Sequence, residues 1–270
     1  MPELPEVETS RRGIEPHIIK TRITKITVRK RKLRWPISYA IDHNLPGQKV
    51  SSVTRRAKYL LINFKTGSIM LHLGMTGSVS IVENATPAGI HDHVDIDFDS
   101  GKTLRFRDPR RFGSLHWSKK PMQHKLLKSL GPEPLSDHFD ANYLWKKSRG
   151  RKVSIKQFIM NAQIVVGVGN IYASESLFLA GINPKRAAGK ISHDRYRDLV
   201  DSIKEILIKA IKAGGTTLRD FYRSDGKAGY FIQQLQVYGR DGEHCSYCDS
   251  IIVSIVQGQR STFYCKQCQT

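Results

Sequence analysis

Cysteine is missing from the first 244 positions of this 270-residue chain, so no disulfide framework can brace them. Long apolar runs are missing too: no stretch approaches the ~20 consecutive apolar residues of a membrane-spanning helix. The N-terminus lacks the basic-then-apolar pattern of a secretory signal, and a cytoplasmic protein with no membrane partner is expected. Internal repeats and low-complexity tracts are absent. Negative charge is scarce: 24 Asp and Glu stand against 44 Lys and Arg, a net charge of +20. Such a surplus implies a polyanionic partner, nucleic acid first, with an affinity that falls steeply as salt rises. A membrane-surface protein concentrates its charge on one amphipathic helix or tail. Here basic clusters recur at residues 29–32, 55–58, 105–111 and 146–152.

The four cysteines that are present lie in the last 26 residues, as two C-x-x-C pairs, Cys245/Cys248 and Cys265/Cys268, with 16 residues between them. That spacing fits two tight turns presenting four thiolates to one tetrahedral Zn2+. A pair of disulfides is the alternative, which a cytosolic setting disfavours. Four thiolates leave no open position for a catalytic water, so the zinc reads as structural. A tail of ~30 residues is also too small to hold a core without the metal.

The first eight residues, MPELPEVE, carry a second chemical signal. Removal of Met1 would leave Pro2 with a free secondary amine beside the Glu3 carboxylate. An N-terminal amine has a pKa near ~8, against ~10.4 for lysine, so more of it is neutral and nucleophilic at neutral pH. An amine next to an acid suits attack on a sugar carbonyl equivalent to give an iminium. Taken alone, the same residues also read as an ordinary proline-bearing terminus.

Along the chain, residues 7–19 read as a helix, and residues 22–29, 59–64, 68–73, 78–82, 93–98 and 103–107 as short strands, with a hairpin turn at Asp99-Ser100-Gly101. Strands so spaced suggest a sandwich or barrel. Residues 131–136 (GPEPLS) form a connector. Beyond it, residues 140–147, 154–161, 172–180 and 192–213 read as helices, the last with Leu199, Ile203, Ile206, Leu207 and Ala210 at helical spacing, closed by Gly214-Gly215. The glycine-rich stretch 165–174 (VVGVGNIYAS) reads as a helix–helix turn, or as a phosphate cradle before a helix N-terminus. Residues 226–229 read as a flexible loop. By composition alone Met75 and Phe112 belong to a core.

The chain resembles bacterial formamidopyrimidine-DNA glycosylases over essentially its whole length. The resemblance rests on MPELPEVETSRRG at 1–13, RRAKYL at 55–60, HLGMTGS at 72–78, HDHVD at 91–95, DPRRFG at 108–113, LGPEPL at 130–135, VVGVGNIYASE at 165–175, GGTTL at 214–218, LQVYGR at 235–240 and TFYCKQCQ at 262–269. It implies an α+β multidomain fold: an N-terminal catalytic β-sandwich (1–131), a helical domain with a helix–two-turns–helix motif (132–235) and a four-cysteine zinc finger (236–270). It implies base excision repair by a monomeric, cytoplasmic and nucleoid-associated enzyme that removes oxidised purines from damaged double-stranded DNA and cleaves the strand by β,δ-elimination. By the same resemblance Pro2 is the nucleophile, Glu3 the proton donor and acceptor at the sugar, Lys58 a proton donor at the reacting nucleotide, and Arg260 a phosphate ligand with a part in δ-elimination. Asn170 is the phosphate-binding asparagine, and His91, Arg110 and Arg151 match DNA-binding positions. Arg151 stands where a relative can carry lysine. Met75, Arg110 and Phe112 are the trio that fills the gap left by the extruded nucleotide, and residues 221–230 a loop over the extruded base.

Two rivals remain at this level. An endonuclease VIII-like enzyme for oxidised pyrimidines shares the Pro-Glu terminus, although Leu4-Pro5, Met75 and Phe112 favour the purine branch. A non-catalytic zinc-dependent DNA-binding protein would satisfy the charge and the cysteines, and would bind damage without cutting it.

Overall fold

The computed structural model describes residues 2–216 and 231–270. The expected flexible and base-covering segments at 226–229 and 221–230 lie outside the described residues. Those described form two compact units, 2–128 with 213–216, and 129–212 with 231–270. Among them, no helix is long and apolar enough to cross a membrane.

The first unit opens with α1 (Leu4–Ile18), which starts three residues earlier than the apolar pattern predicts. The cause is a capping box: the Glu6 carboxylate accepts the Glu3 amide at 2.8 Å, Glu3 returns the bond, and Pro5 fits the first turn, where no amide partner is needed. There follow β1 (Ile23–Val28), the short α2 (Ala40–Asn44), β2 (Ser52–Arg56), β3 (Tyr59–Phe64), β4 (Gly67–His72), β5 (Ser78–Glu83), β6 (Asp92–Phe98), β7 (Lys102–Arg107) and β8 (Ser114–Ser118). The strands make two antiparallel four-stranded sheets, ordered β1-β6-β7-β5 and β2-β3-β4-β8.

Alternating residues of the two sheets face each other. Val94, Ile96, Leu104 and Phe106 from one and Ile62, Ile69, Leu71 and Leu115 from the other line a common interior, and Val7, Ile14 and Ile18 of α1 join the same buried cluster. The sandwich expectation holds. Strands β2 and β8 are the two that the alternation pattern passes over. Each is an edge strand with one deeply buried apolar residue, Val53 and Leu115, too little for a periodic signal.

The second unit holds α3 (Ala141–Ser148), α4 (Ile155–Met160), α5 (Asn170–Leu179), α6 (His193–Lys212) and a hairpin of β9 (Ile252–Gln257) with β10 (Arg260–Cys265). Asp140 caps α3 by accepting the Tyr143 amide at 2.7 Å, and Ser154 caps α4. Helix α5 begins two residues earlier than its apolar pattern suggests, straight after a turn in which Gly167 has φ +81°. The carboxylate of Glu175 in α5 is almost wholly buried and accepts the amides of Gln236 (2.8 Å), Val237 (3.0 Å) and Tyr238 (2.8 Å). The chain leading to the cysteines is thereby tied to the helices.

Candidate active site and DNA-binding surface

Pro2 and Glu3 stand at the head of α1, and both are buried. The Glu6 carboxylate beneath them has both oxygens engaged, one by the Glu3 amide and the other by the Thr216 amide at 2.8 Å. Gly215 (φ +84°) makes the second contact possible: a Cβ there would lie 3.1 Å from Oε1 of Glu6. The terminus is therefore held by backbone bonds on a rigid helix, an arrangement suited to aiming one reactive atom.

Helix α1 packs along β2 and β3, and Glu8 pairs with Arg55 (3.3 Å), Arg11 and Arg12. Burial alone would raise the Glu8 pKa, but these guanidinium groups outweigh it and hold the carboxyl below its ordinary value. Between β2 and β3 lies a two-residue turn, Ala57-Lys58, with Ala57 in the left-handed region (φ +53°). The turn presents Lys58. Its charge is felt at His72 on β4, whose ring packs on Tyr59 with centroids 4.7 Å apart. Burial first, then the Lys58 and Arg34 charges, push the His72 pKa down to about 4, so the ring is neutral at physiological pH. Neutral Nδ1 accepts the Gly74 amide at 3.0 Å and sets the turn that carries Met75.

Met75 and Phe112 are not core residues. They are 40% and 41% exposed, on two loops whose backbones touch. A Cβ on Gly74 (φ +71°) would lie 2.4 Å from the Gly113 nitrogen, and one on Gly113 2.8 Å from the His72 oxygen, so only glycine lets the loops approach. Arg110 lies 5.1 Å over the Phe112 ring. Met75, Arg110 and Phe112 thus form one exposed group, and composition fails here because two large apolar side chains face outward. His91 enters β6 beside them, its carbonyl accepting the Asp108 amide at 3.0 Å. The loop before His91 is anchored from below. Buried Arg105 bonds both oxygens of Asp95 (3.0 and 2.9 Å) and the carbonyls of Thr86 and Pro87 (2.8 Å each).

In the second unit, Asn170 is the first residue of α5. Its Nδ2 donates to the Ser261 carbonyl at 3.0 Å, so it sits against the β9–β10 hairpin next to exposed Arg260. The structure brings these two predicted residues together. It also adds Lys156, which the sequence reading missed. Lys156 is 1% exposed, and its ammonium donates to the Ser261 carbonyl (2.9 Å) and Thr262 Oγ1 (2.7 Å), clamping the first residues of β10 to α4. The available signal was a lysine beside Ile155 and one turn before Phe158 and Ile159, on the apolar side of IKQFIM. Arg151 is exposed on the loop between α3 and α4 and makes no side-chain hydrogen bond to another described residue.

The four cysteine sulfurs converge within 4.8 Å of one another, with Cys245–Cys268 at 3.9 Å and Cys248–Cys265 at 3.4 Å, and none is in a disulfide. Zn–S bonds of ~2.3 Å in a tetrahedron give sulfur–sulfur edges of about 3.8 Å, so the donor set fits one zinc ion with all four positions filled.

Three family models match the chain: the formamidopyrimidine-DNA glycosylase N-terminal domain over residues 1–115, the formamidopyrimidine-DNA glycosylase H2TH domain over 130–222, and the zinc finger found in FPG and IleRS over 242–270. The chain belongs to the formamidopyrimidine-DNA glycosylase family. It is 56% identical over 269 residues to the formamidopyrimidine-DNA glycosylase of Stutzerimonas stutzeri and 55% identical to that of Pseudomonas aeruginosa, covering 100% of each sequence in both cases. Lactococcus lactis Fpg in complex with an abasic-site DNA superposes with a TM-score of 0.91 at 34% identity over 99% of both chains. The Lactococcus lactis G226P mutant bound to a Fapy-dG-containing DNA gives the same values. The fold expected from the sequence and the structural zinc both stand. Membership in this family also sets aside the reading as a non-catalytic DNA-binding protein.

Proposed function

We propose that this chain is a bifunctional DNA glycosylase and lyase of base excision repair, taking oxidised purines such as 8-oxoguanine and formamidopyrimidines from duplex DNA. The observation that carries it is the end-to-end match to curated formamidopyrimidine-DNA glycosylases, with Pro2 and Glu3 at the head of a capped helix. The active species is a monomer that begins at Pro2, working in the cytoplasm on nucleoid DNA.

The damaged nucleotide leaves the stack, because a duplex hides its anomeric carbon. The Pro2 nitrogen attacks C1′ with its lone pair, and the base departs with the glycosidic electron pair and a proton. Glu3 protonates the sugar ring oxygen as the ring opens, which leaves a C1′ iminium on the proline nitrogen. The iminium acidifies C2′. Loss of that proton breaks the C3′–O bond by β-elimination, and a second elimination breaks the C5′–O bond. Water then hydrolyses the imine and frees the amine. Lys58 gives a proton during elimination and neutralises a nearby phosphate. Arg260 binds phosphate through its planar fork, which keeps its charge throughout, and Asn170 adds a neutral donor. His91, Arg110 and Arg151 hold further DNA. Met75 and Phe112 enter the vacated stack as apolar wedges, while Arg110 bonds the orphaned partner base. The four-cysteine zinc site braces the hairpin that carries Arg260.

Borohydride reduction in the presence of 8-oxoguanine duplex tests the reading. The expected product is a covalent protein–DNA adduct mapping to Pro2 by mass spectrometry, on a chain whose intact mass lacks methionine. Absence of an adduct under conditions where a control lyase is trapped would remove the assignment. Preferential excision of oxidised pyrimidine opposite cytosine would move it to the endonuclease VIII-like branch.

A further inference from the structure

The reaction above uses the side chains of Arg110 and Phe112 but not the group around which their loop is wound. Asp108 directly follows β7 and is completely buried. Its Oδ2 accepts the Gly113 amide at 2.7 Å. The amides of Arg110 and Arg111 also favour its charged form, although burial, the largest influence, lifts its pKa above the ordinary value. The backbone folds around this carboxylate so tightly that a Cβ on Gly113 would lie 2.9 Å from Oδ2, and Arg111 takes a left-handed conformation (φ +55°) to complete the circuit. Asp108 is held in turn from both sides. Its carbonyl accepts a hydrogen bond from the His93 ring at 2.8 Å, and its amide donates to His91. The residues at 110 and 112 are thereby directed outward while the backbone at 110–113 turns inward.

We infer that Asp108 is a positioning residue for strand-gap filling: its buried carboxylate is the template for loop 109–113 and so sets where Arg110 and Phe112 meet the partner strand. One loop amide, that of Gly113, is held on Oδ2, and a second, that of Arg111, donates to the Asp108 carbonyl at 3.2 Å. A loop wound around a buried anion keeps its shape without help from the ligand, and preorganisation of this kind lowers the cost of binding. A truncated side chain would leave the Gly113 amide unpaired in a dry site, and a neutral one would hold it more weakly, so that the loop would relax. The consequence is selective. Steps that require an intact stack to be opened and refilled should suffer, and steps on a strand without a partner should not.

This inference rests on the glycosylase reading, and the test separates the two. Wild type, Asp108→Asn and Asp108→Ala are compared on an 8-oxoguanine:C duplex and on a single-stranded oligonucleotide containing an abasic site, which has neither a stack nor a partner base. For Asp108→Ala, single-turnover excision from the duplex is expected to fall at least about tenfold, with loss of discrimination between C and A opposite the lesion, while single-strand cleavage changes less than about twofold. Asp108→Asn, nearly isosteric and still able to accept one amide, should fall between wild type and alanine on the duplex. It keeps the test decisive if the alanine protein does not fold. A 2-aminopurine beside the lesion should brighten more slowly in the variants, reporting delayed entry of the wedge. Equal losses on both substrates in folded Asp108→Asn would make Asp108 a general structural residue and overturn the inference, as would unchanged duplex excision and partner-base preference. Failure of wild type to act on either substrate would sink the glycosylase reading instead.

Discussion

Acidification should weaken the first unit through one identifiable ring. His72 is neutral because it is buried and faces the Lys58 and Arg34 charges, which bring its pKa from 6.5 to about 4. In the unfolded chain those influences vanish and the imidazole takes up a proton near its ordinary value. As the pH falls below that value, the unfolded state binds a proton that the folded state refuses, so stability declines, and the decline ends once the folded ring also protonates near pH 4. Each pH unit inside this window costs about 1.4 kcal/mol. Between about pH 7 and about pH 5 the two pKa values give a loss of about 2 kcal/mol from this residue alone. Other groups titrate over the same range, so the measured quantity is the difference between wild type and His72→Gln in urea unfolding. A glutamine cannot charge, and its carbonyl can still accept the Gly74 amide. The gap between the two proteins should shift by about 2 kcal/mol across the interval, in the direction that acid harms wild type more. NMR titration of the ring should place its midpoint near 4. A His72 midpoint near 6.5, or parallel stability profiles for the two proteins, would refute the account of why this ring is neutral.

Gly74→Ala meets both a left-handed backbone and a Cβ position 2.4 Å from the Gly113 nitrogen, whereas Gly101→Ala meets a comparable φ with nothing within 4 Å. The first should cost about 2 kcal/mol more than the second by chemical denaturation, and equal costs would mean that the two loops do not touch. Glu175→Ala strands three amides, one buried and two half-buried, and should destabilise the second unit by about 3 kcal/mol, a figure that a near-neutral unfolding curve would contradict. Metal analysis should return one zinc per chain. Chelation should abolish DNA binding in a mobility-shift assay and added zinc restore it, and binding that survives complete removal of the metal would deny the hairpin its structural dependence.

The parts of this protein that could be read in its sequence are those whose chemistry is local or periodic. The C-x-x-C pairs announced the metal because a tetrahedral thiolate site depends on residue type and spacing. The central strands announced themselves as short runs of apolar and β-branched residues buried almost throughout, and the long helix α6 by an apolar face at helical spacing. Where burial was one-sided or scant, as in β2, β8 and α2, the pattern was silent. Helix starts were misjudged at α1 and α5 because they depend on a reciprocal carboxylate cap and on the turn around Gly167, not on apolar spacing.

From its sequence alone, the chain's charge, its zinc ligands and its family were determined, since each depends only on which residues occur and in what order. Composition placed Met75 and Phe112 in a core and the family resemblance grouped them with Arg110; the tertiary structure decided their actual exposure and the placing of Arg110 over the Phe112 ring. It alone decided that His72 is neutral, and that Lys156 and Asp108 lie buried beneath the hairpin and the loop they support. The reason is physical: exposure, proximity and proton affinity are properties of a surrounding assembled from residues far apart in the chain, and they do not exist until it folds.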